Sequence, residues 1–400
     1  MSNQLNILYN DSLKLLRQLS TSQGILASTL ESDNYKRIWA RDSIICGIAG
    51  LLAEDKTIVQ GLKASLLTLA KHQNKQGIIP SNVLEKENDV DISYGSLVGR
   101  VDTNTWFIVG CCLYYLNTKD EETWLFLIPS IFKSRNYLKT IELNGKGWIY
   151  TPLSGNWADE YPIHGYTLYD NMLRLWGESL WLKTQKKTEA EFDNLKAKTL
   201  INFWPQETTN YKYVYQKQPF IAVLNESISH FCSSILPGKY NTRFDAAGNA
   251  LALLIFKLSA TQKESIRIYL SFLKTNISKM LIPAFWPVIK KNDAEWEDLK
   301  DNYSFSFKNK PYNFHNGGIW PVWMGLFCLG LSNNSLIKEA EKIIQDFISV
   351  IASQNWNFNE YISGNNLKLG GKEQMGFSAS GIVFMYYALN FQKCSKKLGL

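Results

Sequence analysis

Six segments dense in polar and aromatic residues punctuate the chain, and each leads into a run that is apolar nearly all round a helix. They are WARDS at 39–43, GRVDTNTW at 99–106, GNWADEYPIHGY at 155–166, RFDAAGN at 243–249, YNFHNGGIWP at 312–321 and GGKEQMGFSAS at 370–380. The runs that follow them start about 60 to 80 residues apart, a period that signals a repeated supersecondary unit. Between them lie plainer amphipathic stretches, such as Ser335 to Val350. A helix apolar on all sides must be buried, and an amphipathic one borders solvent. The unit is therefore a hairpin of one inner and one outer helix, and six of them close into a toroid. The polar-aromatic segments then gather at the N-terminal ends of the inner helices, where free N–H groups and a positive dipole face the centre. An irregular helical bundle whose polar loops do not converge is the alternative.

Helical spacing predicts helices over 4–20, 42–54, 57–73, 104–117, 121–139, 167–184, 188–202, 245–259, 261–275, 317–331, 334–353 and 376–391. One short β-hairpin is predicted from Tyr211–Tyr215 and Phe220–Val223. No Gly/Ser linker, low-complexity run or charge block divides the sequence. The expectation is an all-α fold, an (α/α)6 toroid with minor strand content, as one domain over residues 1–400.

Composition narrows the function. Apolar residues make up 45% and charged residues 20%, which excludes disorder, collagen and coiled coil as the main state. No apolar run approaches the roughly 20 residues that span a bilayer. The first residues lack a basic segment followed by an apolar one, so no signal peptide is expected. Six cysteines form neither a disulfide framework nor a zinc pattern and are read as reduced thiols of a cytoplasmic protein. The net charge of +7 is spread over scattered lysines, unlike the concentrated basic face of a nucleic-acid binder. Thirteen Trp, twenty Tyr and twenty Phe exceed what a core of this size needs, and many lie beside Asp, Asn, Gly or Pro. Aromatic rings stack on the apolar faces of sugars while polar neighbours bind the hydroxyls. An aromatic-rich helical core would account for the same composition.

Several chemistries find no support. His72, His164, His230 and His315 are far apart, with no HExxH or Cys/His cluster. GxSxG, Walker A and strand-linked GxGxxG motifs are also missing. No metal or organic cofactor is expected, and neither is a nucleic-acid or membrane partner. Carboxylates are the better candidates. Asp159 lies between Trp157 and Tyr161, beside Glu160, and an acid partly desolvated by aromatics can stay protonated near neutrality. Such a group can protonate a glycosidic oxygen. An Asp in such a loop can equally cap a helix. Glu360 in NWNFNEYISG is a second carboxylate that could activate water, with Glu373 as its rival; either could be a surface glutamate. Arg41 with Asp42, and Arg100 with Asp102, are sets that can hold vicinal hydroxyls, or form salt bridges and caps. His315 and Asn316 precede two glycines that allow close backbone approach to a ligand.

On these segments the chain resembles the neutral and alkaline invertases of glycoside hydrolase family 100, within the wider (α/α)6 hydrolases that include trehalases and processing α-glucosidases. YKRIWARDSIICGIAGLL is similar to the family's early Arg-Asp motif. GRVDTNTWFIVGCCLYY is similar to its GRV…D…W helix start, and ADEYPIHGYTLYDNMLRLW to the segment beginning at its acid aspartate. RFDAAGNALALL resembles its Arg-Phe…Gly-Asn helix. YNFHNGGIWPVW is the most specific match, to its Tyr-His-Asn-Gly-Gly…Trp-Pro segment. NEYISGNNLKLGGKEQ resembles its Glu-Tyr-Tyr…Gly-Lys segment.

The resemblance implies Asp159 as general acid and Glu360, not Glu373, as general base. It implies Arg41, Asp42, Asp102, His315 and Trp157 around the reacting sugar. Arg100, Trp106, Tyr166, Asn316 and Trp320 stand in the same segments and complete the sugar-binding candidates. It further implies inversion at the anomeric centre, with the carboxylates about 6.5–9.5 Å apart to admit a water. Two departures bear on the leaving group. Glu160 and Tyr161 stand where the invertase pattern has two arginines, and the spacing from GRV to Asp is shorter.

The expected activity is hydrolysis of sucrose or a related small α-glucoside, with no partner beyond that carbohydrate and self-association left open. A related α-glucosidase acting on glucosylglycerate or short α-glucans is the first rival. A carbohydrate-binding protein that has lost turnover is the second, and a lyase or phosphorylase on the same scaffold the third.

Overall fold

The structure, a computed structural model, describes residues 3–30, 35–87, 89–95, 98–206, 211–226 and 228–400. Six helices are buried on nearly every side: α2 (Ala40–Ala53), α4 (Asp102–Thr118), α6 (Leu168–Thr184), α9 (Ala246–Ile255), α12 (Pro321–Asn333) and α14 (Gly376–Ala388). Six others bury one face: α1 (Asn3–Leu19), α3 (Lys56–Lys71), α5 (Glu121–Thr140), α7 (Ala190–Phe203), α10 (Ala260–Ile277) and α13 (Ile337–Ile351). Two short helices, α8 (Lys217–Leu224) and α11 (Trp296–Lys300), lie in connections. The first set packs in chain order, α2 on α4, then α6, α9, α12 and α14, and α14 returns to α2. That closes the (α/α)6 ring. The amphipathic helices line its outside, α3 against α2, α5 against α4, α7 against α6 and α13 against α12. In α13 the buried residues Ala340, Ile343, Ile344, Phe347 and Ile351 recur at helical spacing, as an outer helix requires.

Glycines let the inner helices approach closely. A side chain on Gly325 of α12 would meet the Gly381 carbonyl oxygen at 2.2 Å, and one on Gly381 would meet the Pro321 carbonyl oxygen at 2.2 Å. At that seam backbone packs on backbone, and an added methyl would force the helices apart.

The inner and outer helices start differently. Asp55, Asp120 and Ser259 cap α3, α5 and α10 with side-chain oxygens. None of the six inner helices has a side-chain cap. Backbone carbonyls of neighbouring segments serve instead: Ser81 for the Ala40 N–H, Ser233 for Leu168, Ala284 for Ala246 and Ala27 for Gly376. Short strands lead into three of them. Ile38–Trp39 pairs with Asn82–Val83, Tyr166–Thr167 with Ser234–Ile235, and Phe244–Asp245 with Phe285–Trp286. The loops at this end are thus stitched to one another, which fixes the side chains they carry.

Three sequence expectations need correction. The hairpin at 211–223 is absent: Tyr211–Tyr213 is a 3-10 turn and Phe220–Val223 lies within α8. Phe220 and Val223 are buried, three residues apart, while Ile221 is exposed, which is helical rather than strand periodicity. The helix expected over 317–331 starts at Pro321, because proline suits the first turn and disfavours helix in the residue before it. The helix expected over 245–259 ends at Ile255; Phe256 is extended and Ser259 caps the next.

All six cysteines are free and buried. Among the described residues no helix is long and apolar enough to cross a membrane.

Candidate active site

The first turns of α2, α4 and α6 meet in one buried chain of hydrogen bonds. Asp102 Oδ2 accepts from Arg41 Nη1 at 2.7 Å and from the Tyr169 hydroxyl at 3.0 Å. The Tyr169 oxygen in turn accepts from Trp106 Nε1 at 2.7 Å. A buried ion pair is tolerated only when further bonds offset its desolvation, and Tyr169 supplies one. Arg41 Nε and Asp102 Oδ1 are buried with no protein partner. Such a donor and acceptor side by side can take the hydroxyls of a polyol. Asp42, next in sequence, is buried, and burial pushes its carboxyl up to about 7.

The Asp159 loop lies beside this chain. Val101 donates its N–H to Gly155, tying the loop to the start of α4. Arg100 pairs with Asp159 Oδ2 and also donates to the Ser154 carbonyl. The Asp159 side chain is 33% exposed. Trp157 packs edge-on against His315, Trp320 and Trp323. His315 stacks on Trp320 at 5.5 Å, and Trp320 on Tyr361 at 6.0 Å. His315 is held far below the ordinary imidazole range, first by burial and then by the cations Lys308, Arg41 and Arg100, so its ring is neutral.

Glu360 reaches the same place from another element. It precedes the strand Tyr361–Ile362, which pairs with Leu369–Gly370. Its Oε1 accepts from the Tyr35 hydroxyl at 2.9 Å and its Oε2 from the Lys372 N–H at 3.3 Å. Gly371 has φ +75°, and a side chain there would sit 2.4 Å from Glu360 Oε2. Only glycine suits that turn and leaves room for the carboxylate. Burial raises the Glu360 carboxyl above the ordinary range, against the pull of Tyr35 and Lys372. Glu373 is exposed and accepts from Asn357 at 2.7 Å, away from these groups.

Tyr35 binds Glu360 and feels the charge of both carboxylates. Its hydroxyl is held protonated by burial and by the charges of Glu360, Asp42 and Asp159. Glu160 likewise feels Lys308, Asp159 and Glu360, after burial, which raises it. Arg41, Asp42, Arg100, Asp102, Trp157, Asp159, His315, Trp320 and Glu360 thus gather at one end of the ring.

Three candidates do not face that space. Trp106 stands behind Tyr169. Tyr166 accepts from Asn144 at 2.6 Å and packs with Trp148, Tyr150 and Tyr215. Asn316 spends its amide on Ile289 N–H and on the carbonyls of Ile289 and Asn309, so it holds the loop together. The desolvation expected at Asp159 is found at Glu360, while Asp159 carries a guanidinium. Tyr35, Tyr169 and Lys308 were not among the sequence candidates. The one signal for Tyr35 was its place just before WARDS.

Two further carboxylates stand at inner helix starts. Burial pushes Asp170 to about 8, against hydrogen bonds from Thr151 and Thr167, and Asp245 to about 7. An unfolded carboxyl titrates near ~4, so stability from a protonated Asp245 is present below that pH and lost as pH rises through 7. At pH 8 the loss is on the order of a few kcal/mol. Asp245→Asn is therefore expected to raise the melting temperature by a few degrees at pH 8 and to change it little at pH 4. Calorimetry at the two pH values checks this.

Comparison with known proteins agrees with this architecture. Residues 203–392 match the alkaline and neutral invertase family model. Glu360 and His315 lie inside that span, and Asp159, Arg41 and Asp102 before it. A probable alkaline/neutral invertase D of Arabidopsis thaliana is 20% identical over 410 residues, 89% of this chain and 75% of the plant protein. Among solved structures, the glucose complex of the GH63 mannosylglycerate hydrolase from Thermus thermophilus superposes with a TM-score of 0.66 at 12% identity. The match covers 94% of this chain and 99% of that enzyme. The Hormoconis resinae glucoamylase gives 0.58 at 9% identity, over 98% of this chain and 75% of its own. The closed double ring of helices is the fold of these glycosidase neighbours, and the match over residues 203–392 and the plant relative make the chain similar to the alkaline and neutral invertases, which supports a glycoside hydrolase.

Proposed function

We propose that the chain hydrolyses a small α-glucoside with inversion, with Asp159 as general acid and Glu360 as general base, acting as one catalytic domain over residues 1–400. The observation that supports this reading is that the two carboxylates, from distant segments, share one electrostatic neighbourhood: Glu360 is bound by Tyr35, and the charges of both Asp159 and Glu360 reach Tyr35 and Glu160. In the reaction, the bond from the anomeric carbon to the aglycone oxygen breaks as a water oxygen bonds to that carbon. Asp159 gives its proton to the departing oxygen, and Glu360 takes one from the water. A base with a raised pKa is the stronger base, and donors on both Glu360 oxygens aim its remaining lone pairs. Arg41, Asp102 and His315 supply partners for the sugar hydroxyls, and Trp157 and Trp320 supply aromatic walls.

One observation favours exchanged roles: Glu360 is the desolvated group, and Asp159 carries Arg100. Arg100 must leave Asp159 Oδ2 before a departing oxygen can approach that atom. The leaving group is less constrained. Of the two residues that replace the arginines of the invertase pattern, Tyr161 is buried with its ring stacked on Phe285 at 4.1 Å, and Glu160 follows Asp159 with its Oε2 unpartnered. Sucrose fits the Arabidopsis relative, and glucosylglycerate is a close analogue of what the Thermus enzyme is named for. Proton NMR of the protein with sucrose is expected to show β-glucose as the first anomer. If sucrose is untouched, glucosylglycerate and short α-glucans follow. Failure on all of them, or α-glucose appearing first, overturns the proposal.

A further inference from the structure

We infer that Tyr35 is the positioning residue of the hydrolytic water, through the hydrogen bond by which it fixes the Glu360 carboxylate. The inference rests on the reading of Glu360 as base. Tyr35 donates to Glu360 Oε1 at 2.9 Å, while the Lys372 N–H holds Oε2. The carboxylate is therefore pinned through both oxygens, by a side chain of one segment and the backbone of another. Its orientation toward a water no longer depends on its own rotamer freedom.

The phenol is itself firmly placed. Ser28 donates its N–H to the Tyr35 carbonyl at 3.3 Å, and Ala27 to that of Arg37 at 3.2 Å. Arg37 pairs with Asp91 at 2.5 Å and donates to Asn82 at 3.1 Å. Ile38 and Trp39 then join the sheet that leads into α2. On the other side, the Ser28 hydroxyl donates to the Glu373 carbonyl, and Gly376 donates to Ala27. The segment bearing Tyr35 is thus bonded to the segment that carries the turn behind Glu360. Movement of one carries the other.

The charges around this pair set its chemistry. Tyr35 faces Glu360, Asp42 and Asp159. Glu360 in addition faces Lys308 and Lys372, and its charge reaches Asp42 and Glu160. A phenol surrounded by carboxylates cannot ionise, so it remains a donor over the whole working range. A donor to a carboxylate favours the ionised form. Tyr35 therefore both orients Glu360 and offsets part of the burial that would otherwise keep it protonated.

Removing the hydroxyl should have a signature that loss of packing alone lacks. Tyr35→Phe keeps the ring. It is expected to lower kcat about ten- to a hundredfold, the weight of one hydrogen bond to a charged group, with KM changed less than about threefold. Without the donor the Glu360 carboxyl rises further, so the acidic limb of kcat against pH moves to higher pH, by about one unit. An unchanged kcat and pH profile would overturn the inference. So would a loss that is equal at every pH and comes with a lowered melting temperature, since that describes a structural residue. Glu360→Gln is measured on the same α-glucoside. If it stays active, the base assignment fails and this inference with it. If it is inactive while Tyr35→Phe is normal, only the role of Tyr35 fails.

Discussion

Glu360→Gln should reduce kcat by about 10²–10⁴-fold, the usual weight of a positioned acid or base, while leaving substrate affinity within a few fold. The amide keeps the shape of the side chain and an oxygen that can accept from Tyr35. What it cannot do is take a proton from water. Stability should not suffer, because burial raises the Glu360 carboxyl and the neutral amide is no harder to bury than the carboxylate. Azide, which needs no deprotonation, should restore turnover of the variant in a concentration-dependent way. Its nitrogen bonds to the anomeric carbon as the aglycone departs with a proton from Asp159. The product from an α-glucoside is then the β-glucosyl azide, identified by its anomeric proton coupling. Full activity in the variant would remove Glu360 from the mechanism. Rescue with the α-azide would contradict inversion.

The ring was legible in the sequence because its inner helices violate amphipathicity. Segments such as 321–333 are apolar on every face, and the polar-aromatic runs ahead of them mark one end of the ring. The choice between Glu360 and Glu373 was not legible from local chemistry, since both sit among glycine and polar neighbours. It depends on the turn at Gly371, which folds the chain so that Glu360 lies against Lys372 while Glu373 points outward. Residue type in a polar-aromatic segment also does not say which way a side chain faces. Trp106, four residues after Asp102 on α4, turns toward Tyr169, and Asn316 turns back onto Ile289. Tyr35 lies in an aperiodic stretch, and only tertiary contact brings it to Glu360. The hairpin expected near 211–223 failed because an apolar run as short as Phe220–Val223 cannot distinguish a strand from part of a short helix.

Asp159→Asn should separate proton donation from water activation. On a glucoside with an alkoxide leaving group, kcat is expected to fall about 10²–10⁴-fold, because the departing oxygen no longer receives a proton. On α-glucosyl fluoride the same variant should stay within about tenfold of the wild type, since fluoride leaves without one and Glu360 still activates the water. Glu360→Gln should lose both substrates. The contrast matters because the charges in the resting site do not assign the roles by themselves: Arg100 pairs with Asp159, and Glu360 is the buried group. The Asn variant also leaves Arg100 without its carboxylate, which would lower both activities by the same factor and so cannot imitate a leaving-group effect. If instead Glu360→Gln keeps fluoride hydrolysis, and azide rescues Asp159→Asn, the two carboxylates have exchanged roles. In that case Arg100 is the group that orients the base, and desolvation of Glu360 is the device that keeps the acid protonated.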